Sequence, residues 1–125
     1  MKRDWELIRI LLEKVEDLPD TRSKLLAGKV AGHLGITEDT INYHLWLLLD
    51  AGLIEGACAG KPGRGTTLLC CGQALTWKGH EFLDTVRSDT AWNRIKRWLN
   101  EEGFELSFEA IVAAGRAVIA SVEIG

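Results

Sequence analysis

The sequence predicts a mainly α fold with a small β-hairpin, and three observations carry that prediction. Two helical apolar patterns separated by a glycine lie between residues 26 and 51. A strand-turn-strand pattern follows them directly, and further helical stripes fill the C-terminal part.

The first helix is expected from Asp4 to about Asp17. Trp5, Ile8, Leu12 and Val15 recur at helical spacing, and Leu7 and Leu11 widen the stripe. Asp4 is placed to cap its start, and Pro19 prevents its continuation. A polar connector, Asp20-Thr21-Arg22-Ser23, then leads to a second helix over roughly Leu26 to Leu34. Ala31 is small enough for two helices to cross closely. Gly35 follows where the chain turns sharply and needs a positive φ, and Ile41 can wedge between the pair from the next helix. A small residue, a glycine and a β-branched residue at these offsets are what a helix-turn-helix requires. Thr37 fits as the N-cap of the third helix, with Glu38 and Asp39 favourable against its dipole.

That third helix runs to about Ala51, with Gly52 as its left-handed end. It turns Ile41, Leu45 and Leu48 inward, with His44 alongside. Leu53 to Ala59 and Thr66 to Cys71 read as strands around Gly60-Lys61-Pro62-Gly63-Arg64-Gly65, where Pro62-Gly63 suits the centre of a type II turn. A hairpin directly after the third helix is a wing. The predicted fold is therefore a winged helix-turn-helix plus C-terminal helices, with residues 1–88 as the first domain, the wing at about 53–75, and 89–125 as a helical extension. In the rest of the chain, Thr76 caps a fourth helix with Phe82, Leu83 and Val86 on its apolar side. Trp92, Ile95 and Leu99 mark a fifth, which Gly103 ends. Phe108 to Val122, rich in Ala, Ile and Val, is expected either to be deeply buried or to pair two copies into a homodimer through 108–122.

Composition narrows the function classes. With 46% hydrophobic and 26% charged residues the chain can build a core and is not intrinsically disordered. No segment approaches the roughly 20 apolar residues of a membrane span, and the charged opening Met1-Lys2-Arg3-Asp4 does not read as a signal peptide. A cytoplasmic protein with no membrane association is expected. Cys58, Cys70 and Cys71 are odd in number and lack zinc-ligand spacing, so they are expected as reduced thiols packed in strands, with no metal and no cofactor. His33, His44 and His80 are dispersed, and no nucleophile, base and orienting group can be assembled, so no enzyme is expected. Trp77, Trp92 and Trp98 are expected in the core rather than around an effector.

Thr40-Ile41-Asn42-Tyr43-His44-Leu45 followed by Gly52-Leu53-Ile54 resembles the recognition helix and wing entry of winged-helix transcription regulators. The opening Met1-Lys2-Arg3-Asp4-Trp5-Glu6-Leu7-Ile8-Arg9 and the run Leu75-Thr76-Trp77-Lys78-Gly79-His80-Glu81-Phe82-Leu83-Asp84 are similar to a family of small bacterial and prophage-encoded proteins of unknown function. Tyr43-His44-Leu45 and Trp92-Asn93 extend that likeness over about the first hundred residues. The resemblance implies the winged-helix fold and a phage-related setting, and brings no catalytic residues.

The expected function is a DNA-binding, prophage-associated transcriptional regulator that contacts double-stranded DNA. Thr37, Asn42, Tyr43 and Trp46 on the third helix would face the major groove, and Lys61 and Arg64 on the wing would hold the backbone. The net charge of −3 and the carboxylates of Glu38 and Asp39 argue against a simple phosphate-gripping surface. They support the alternative, a protein-interaction module that uses Tyr43 and Trp46 without DNA.

Overall fold

A computed structural model describes the backbone of residues 1–124 and the side chains of residues 1–120. Among the described residues six helices and three strands follow in the order α1 (Trp5–Glu16), β1 (Leu25–Leu26), α2 (Ala27–Leu34), α3 (Glu38–Asp50), β2 (Ile54–Ala59), β3 (Leu69–Leu75), α4 (Trp77–Val86), α5 (Asp89–Glu101) and α6 (Phe108–Ile124). The fold is mainly helical with a small antiparallel sheet in the order β1-β3-β2.

The chain divides into two compact units, Met1–His80 and the residues from Glu81 onward. The division falls inside α4 and not after residue 88, because the two halves of that helix serve different cores. Its first half is pinned within the first unit. The Thr76 hydroxyl donates to the Gly52 carbonyl at 2.6 Å and accepts the Gly79 amide at 3.0 Å. Gly79 is buried against the Leu53 carbonyl, leaving no room for a Cβ. In the second half, Phe82 stacks on Phe108 of α6 at 4.9 Å between centroids.

In the first unit, Leu7, Leu11, Leu12 and Val15 of α1 and Ile41, Leu45 and Leu48 of α3 are buried, as their spacing requires. The caps are those read from the sequence. The Asp4 carboxylate accepts the Glu6 and Leu7 amides, and the Thr37 hydroxyl accepts the Thr40 amide at 3.2 Å. Gly35 takes φ 65° between α2 and α3, and Gly52 takes φ 73° after α3. No basic residue lies in the last turn of α3, but Lys78 donates to the Ala51 carbonyl at 3.1 Å and opposes the negative end of the helix dipole. In the connector, Asp20 accepts from the Ser23 hydroxyl and from the Arg22 and Ser23 amides. These bonds, the Ser23 hydroxyl foremost, hold its carboxyl below the usual carboxylate range.

Three expectations for the sheet are corrected. First, the hairpin is joined by a third strand, since Leu25 and Leu26 pair with Gly72 and Cys71 of β3. Leu26, read as the start of the second helix, is instead extended at φ −111°, ψ 143°. Second, the returning strand starts at Leu69, not Thr66, and runs on to Leu75. A bulge carries the register from Glu55↔Ala74 to Gly56↔Gly72. Gly56 fits there because a side chain would strike the Cys71 carbonyl. Third, the cysteines are not all free thiols. Cys58 and Cys70 face each other across β2 and β3 and form a disulfide, and Cys71 alone is free among the described residues. The Cα atoms are 4.0 Å apart across the two strands.

The second unit is helical. Trp92, Ile95 and Leu99 of α5 and Ile111 and Ala114 of α6 are buried, while Gly115 of α6 lies against Thr85 and Ile95. One face of α6 is thus used inside its own unit, and Ile119 is exposed. Of the expected pairing segment 108–122, the side chains from residue 121 on lie outside the described residues. Trp92 is a core residue, whereas Trp77 is 82% exposed. No described helix is long and apolar enough to cross a membrane.

Two measurements check these features. Alkylation of the unfolded, unreduced protein should label one thiol, Cys71. Reduction should expose all three and lower stability by about 3 kcal/mol, the loop-closure value for a short cross-link. Gly79→Ala should cost about 1–3 kcal/mol in urea unfolding, because the added methyl must displace backbone.

Candidate nucleic-acid interface

The site expected from sequence combines the N-terminal half of α3 with the loop between β2 and β3. These two segments form the walls of an open groove of about 270 Å³, lined by Met1, Asp39, Tyr43, Lys61, Pro62, Gly63, Thr66 and Leu68. Gly63 has φ 77°, which suits the position after Pro62 in a type II turn, and Gly60 and Gly65 are also left-handed. The loop carrying Lys61 is therefore bent by its glycines at the point where it meets α3.

What holds the two walls together is polar. Asn42 is only 4% exposed, and its Oδ1 accepts the Cys70 amide at 2.8 Å. β1 ends at the partner of Cys71, so Cys70 lies one residue beyond the stretch of β3 that β1 covers. The Asn42 amide group takes the place of the missing strand. Asn42 is thus corrected from a base-reading side chain to the tie between α3 and β3, because its acceptor is spent on a buried backbone amide.

A second tie runs from α3 to α1. His44 is fully buried, and its Nε2 accepts the Asp4 backbone amide at 2.8 Å. That amide can only donate, so the ring proton sits on Nδ1, which donates to the Thr40 carbonyl at 2.8 Å. The side chain that caps α1 and the backbone amide that anchors the same residue to α3 both belong to Asp4.

The other expected site residues divide as follows. Tyr43 and Lys61 line the groove, one on each wall. Trp46 is half-buried and stacks on Tyr43, with centroids 6.2 Å apart and planes 14° from parallel, so it backs the groove and does not line it. Thr37 is exposed, but its hydroxyl is occupied by the cap and by the Thr40 hydroxyl at 2.8 Å. Arg64 is exposed at the loop outside the groove lining. The sequence places Asp39 among the exposed first positions of the third helix without marking it as a contact, and it does not single out Thr66, Met1 or Leu68. Asp39 was visible as an exposed first-turn carboxylate, but only the position of the loop shows that it faces Lys61.

The two carboxylates at the start of α3 also separate. The Glu38 carboxylate lies against Gly28 of α2, whereas Asp39 points into the groove. Among the described residues neither Asp39 nor Lys61 forms an ion pair or side-chain hydrogen bond, and no cluster of His, Cys, Asp or Glu could hold a metal.

The comparisons with known proteins cover most of the chain. The family model of a hypothetical protein, DUF2513, matches residues 2–105. The chain belongs to this family. It is also 36% identical over 122 residues to an uncharacterised protein of Haemophilus influenzae, covering 98% of each chain. No solved structure matches significantly.

Both polar ties can be tested by unfolding. Asn42→Ala should cost about 1–3 kcal/mol, the range for stranding a buried donor. His44→Ala, which also opens a cavity, should cost about 2–4 kcal/mol. Urea denaturation of each variant gives both values. An Asn42→Ala protein of unchanged stability would show that the Cys70 amide has another partner.

Proposed function

We propose that the first unit is a winged helix-turn-helix that binds double-stranded DNA, with α3 in the major groove and the β2–β3 loop on the adjacent backbone. The protein would act as a prophage-associated regulator of transcription. The observation that carries this reading is the joint groove. The helix that follows the Gly35 turn and the loop bearing Lys61 face one another across an open cleft, with Tyr43 on the helix wall. Arg64 on the same loop and Lys2 and Arg3 ahead of α1 are exposed and add cations to this unit. The carboxylates at the start of α3 oppose phosphate, and of the two only Asp39 lines the groove, since Glu38 lies against Gly28 of α2.

A protein partner is the competing occupant of the same face, and the Tyr43–Trp46 stack favours it. Pairing of two copies through α6 belongs to the DNA reading as well. The exposed Ile119, with the exposed Ala120 beside it, supports it, and sedimentation would measure it.

Fluorescence anisotropy with a random duplex pool decides between the occupants. Affinity should fall steeply as salt rises. Lys61→Ala with Arg64→Ala should weaken binding to all sequences alike and reduce the log–log salt slope by about 2. Absence of duplex binding at low salt, with a protein partner lost on Tyr43→Ala or Trp46→Ala, would overturn the DNA reading.

A further inference from the structure

We propose that Asp39 is the base-reading side chain of the groove and that it selects cytosine, with Lys61 on the facing wall holding a nearby phosphate. This rests on the DNA reading above and names the specificity of that same site. The inference begins with what burial removes. Asn42, whose amide could have paired with adenine, is committed to the Cys70 backbone. Thr37 is committed to its cap.

The polar side chains that remain in the groove are Asp39, Tyr43, Lys61 and Thr66. Lys61 only donates, and a lysine ammonium beside a duplex goes to phosphate oxygens or to guanine. The hydroxyls of Tyr43 and Thr66 both donate and accept, so they discriminate weakly. A carboxylate only accepts. In the major groove guanine and thymine present acceptors, which repel it. Adenine presents a donor beside the N7 acceptor, whereas cytosine presents the N4 amine. Cytosine is thus the base whose edge matches Asp39 without an opposing lone pair.

The geometry adds that the Asp39 carboxylate is committed to no other protein group. No hydrogen bond or ion pair among the described residues occupies its carboxylate, so binding a base amine breaks no protein contact. Its position one residue into α3 is also the part of a recognition helix that approaches base edges. A bland role exists for the same residue, a first-turn carboxylate that steadies the helix dipole. That role predicts a change in stability and no change in base preference.

The test is selection of binding sites from a randomised duplex pool by the full chain, followed by anisotropy on the selected duplex and its single-base variants. The wild-type protein should enrich cytosine at one position of the site. Replacing that cytosine should weaken binding roughly five- to hundredfold, the usual range for a specific base contact. Asp39→Ala should bind the selected duplex no better than its variants at that position. Asp39→Asn, which presents a donor and an acceptor, should shift the preference toward adenine. Thermal unfolding of both variants separates a reading defect from a folding defect. Retention of the wild-type base preference by Asp39→Ala overturns the inference and leaves the DNA reading standing. A wild-type chain that binds no duplex overturns both.

Discussion

A polar side chain buried in an apolar core must meet its partner there, and this constraint organises the first unit around α3. The helix turns Ile41, Leu45 and Leu48 inward, but on the same side it carries Asn42 and His44. Burying either without a partner would cost about 1–3 kcal/mol, as much as one of the neighbouring leucines returns by being placed there. Each is therefore bound to one particular backbone amide, Asn42 to that of Cys70 and His44 to that of Asp4. Apolar contacts tolerate a range of approaches, whereas a hydrogen bond of 2.8 Å does not. The leucines supply cohesion, and the two polar groups set how α1 and β3 meet the helix. No buried side-chain nitrogen or oxygen among the described residues is left without a partner.

How much of this could be read from sequence depended on whether the signal was local. The caps Asp4, Thr37 and Thr76, the left-handed Gly35 and Gly52 and the apolar stripes of α1, α3 and α5 were all legible, because each rests on residues within a few positions of one another. The misses all depend on pairing across the chain. β1 is two residues long and α2 begins without a side-chain cap, so nothing local marks where strand becomes helix. Gly72 and the bulge at Gln73 hide the continuation of β3. The disulfide is not legible in the odd number of cysteines or their spacing, because only the register of β2 and β3 sets Cys58 opposite Cys70. In the candidate site, Tyr43 and Lys61, expected from their segments, both line the groove. Asn42 was misassigned, since the helical pattern places it at the edge of the inner face and only β3 shows that it is covered.

The disulfide and the Asn42 bond meet at one residue. Cys70 is joined through its side chain to β2 and through its amide to α3. The loop that carries Lys61 and Arg64 departs from Ala59 and returns at Leu69, so both of its ends adjoin this junction. The left-handed glycines bend the loop between those fixed ends. A loop anchored so closely at both sides has less conformational freedom to lose when something binds to it.

The partition of α3 into two faces has a consequence for how such a protein can change. Ile41, Asn42, His44, Leu45 and Leu48 are committed to the interior, and substituting any of them disturbs the elements they hold. Asp39 and Tyr43 face the groove, and neither provides a polar tie between elements. The two sets alternate along the same turns of one helix without sharing a residue. The chemistry of the groove and structural integrity are thus written at separate positions. A lineage, or a designer, could exchange the outward letters while leaving the scaffold's own grammar intact.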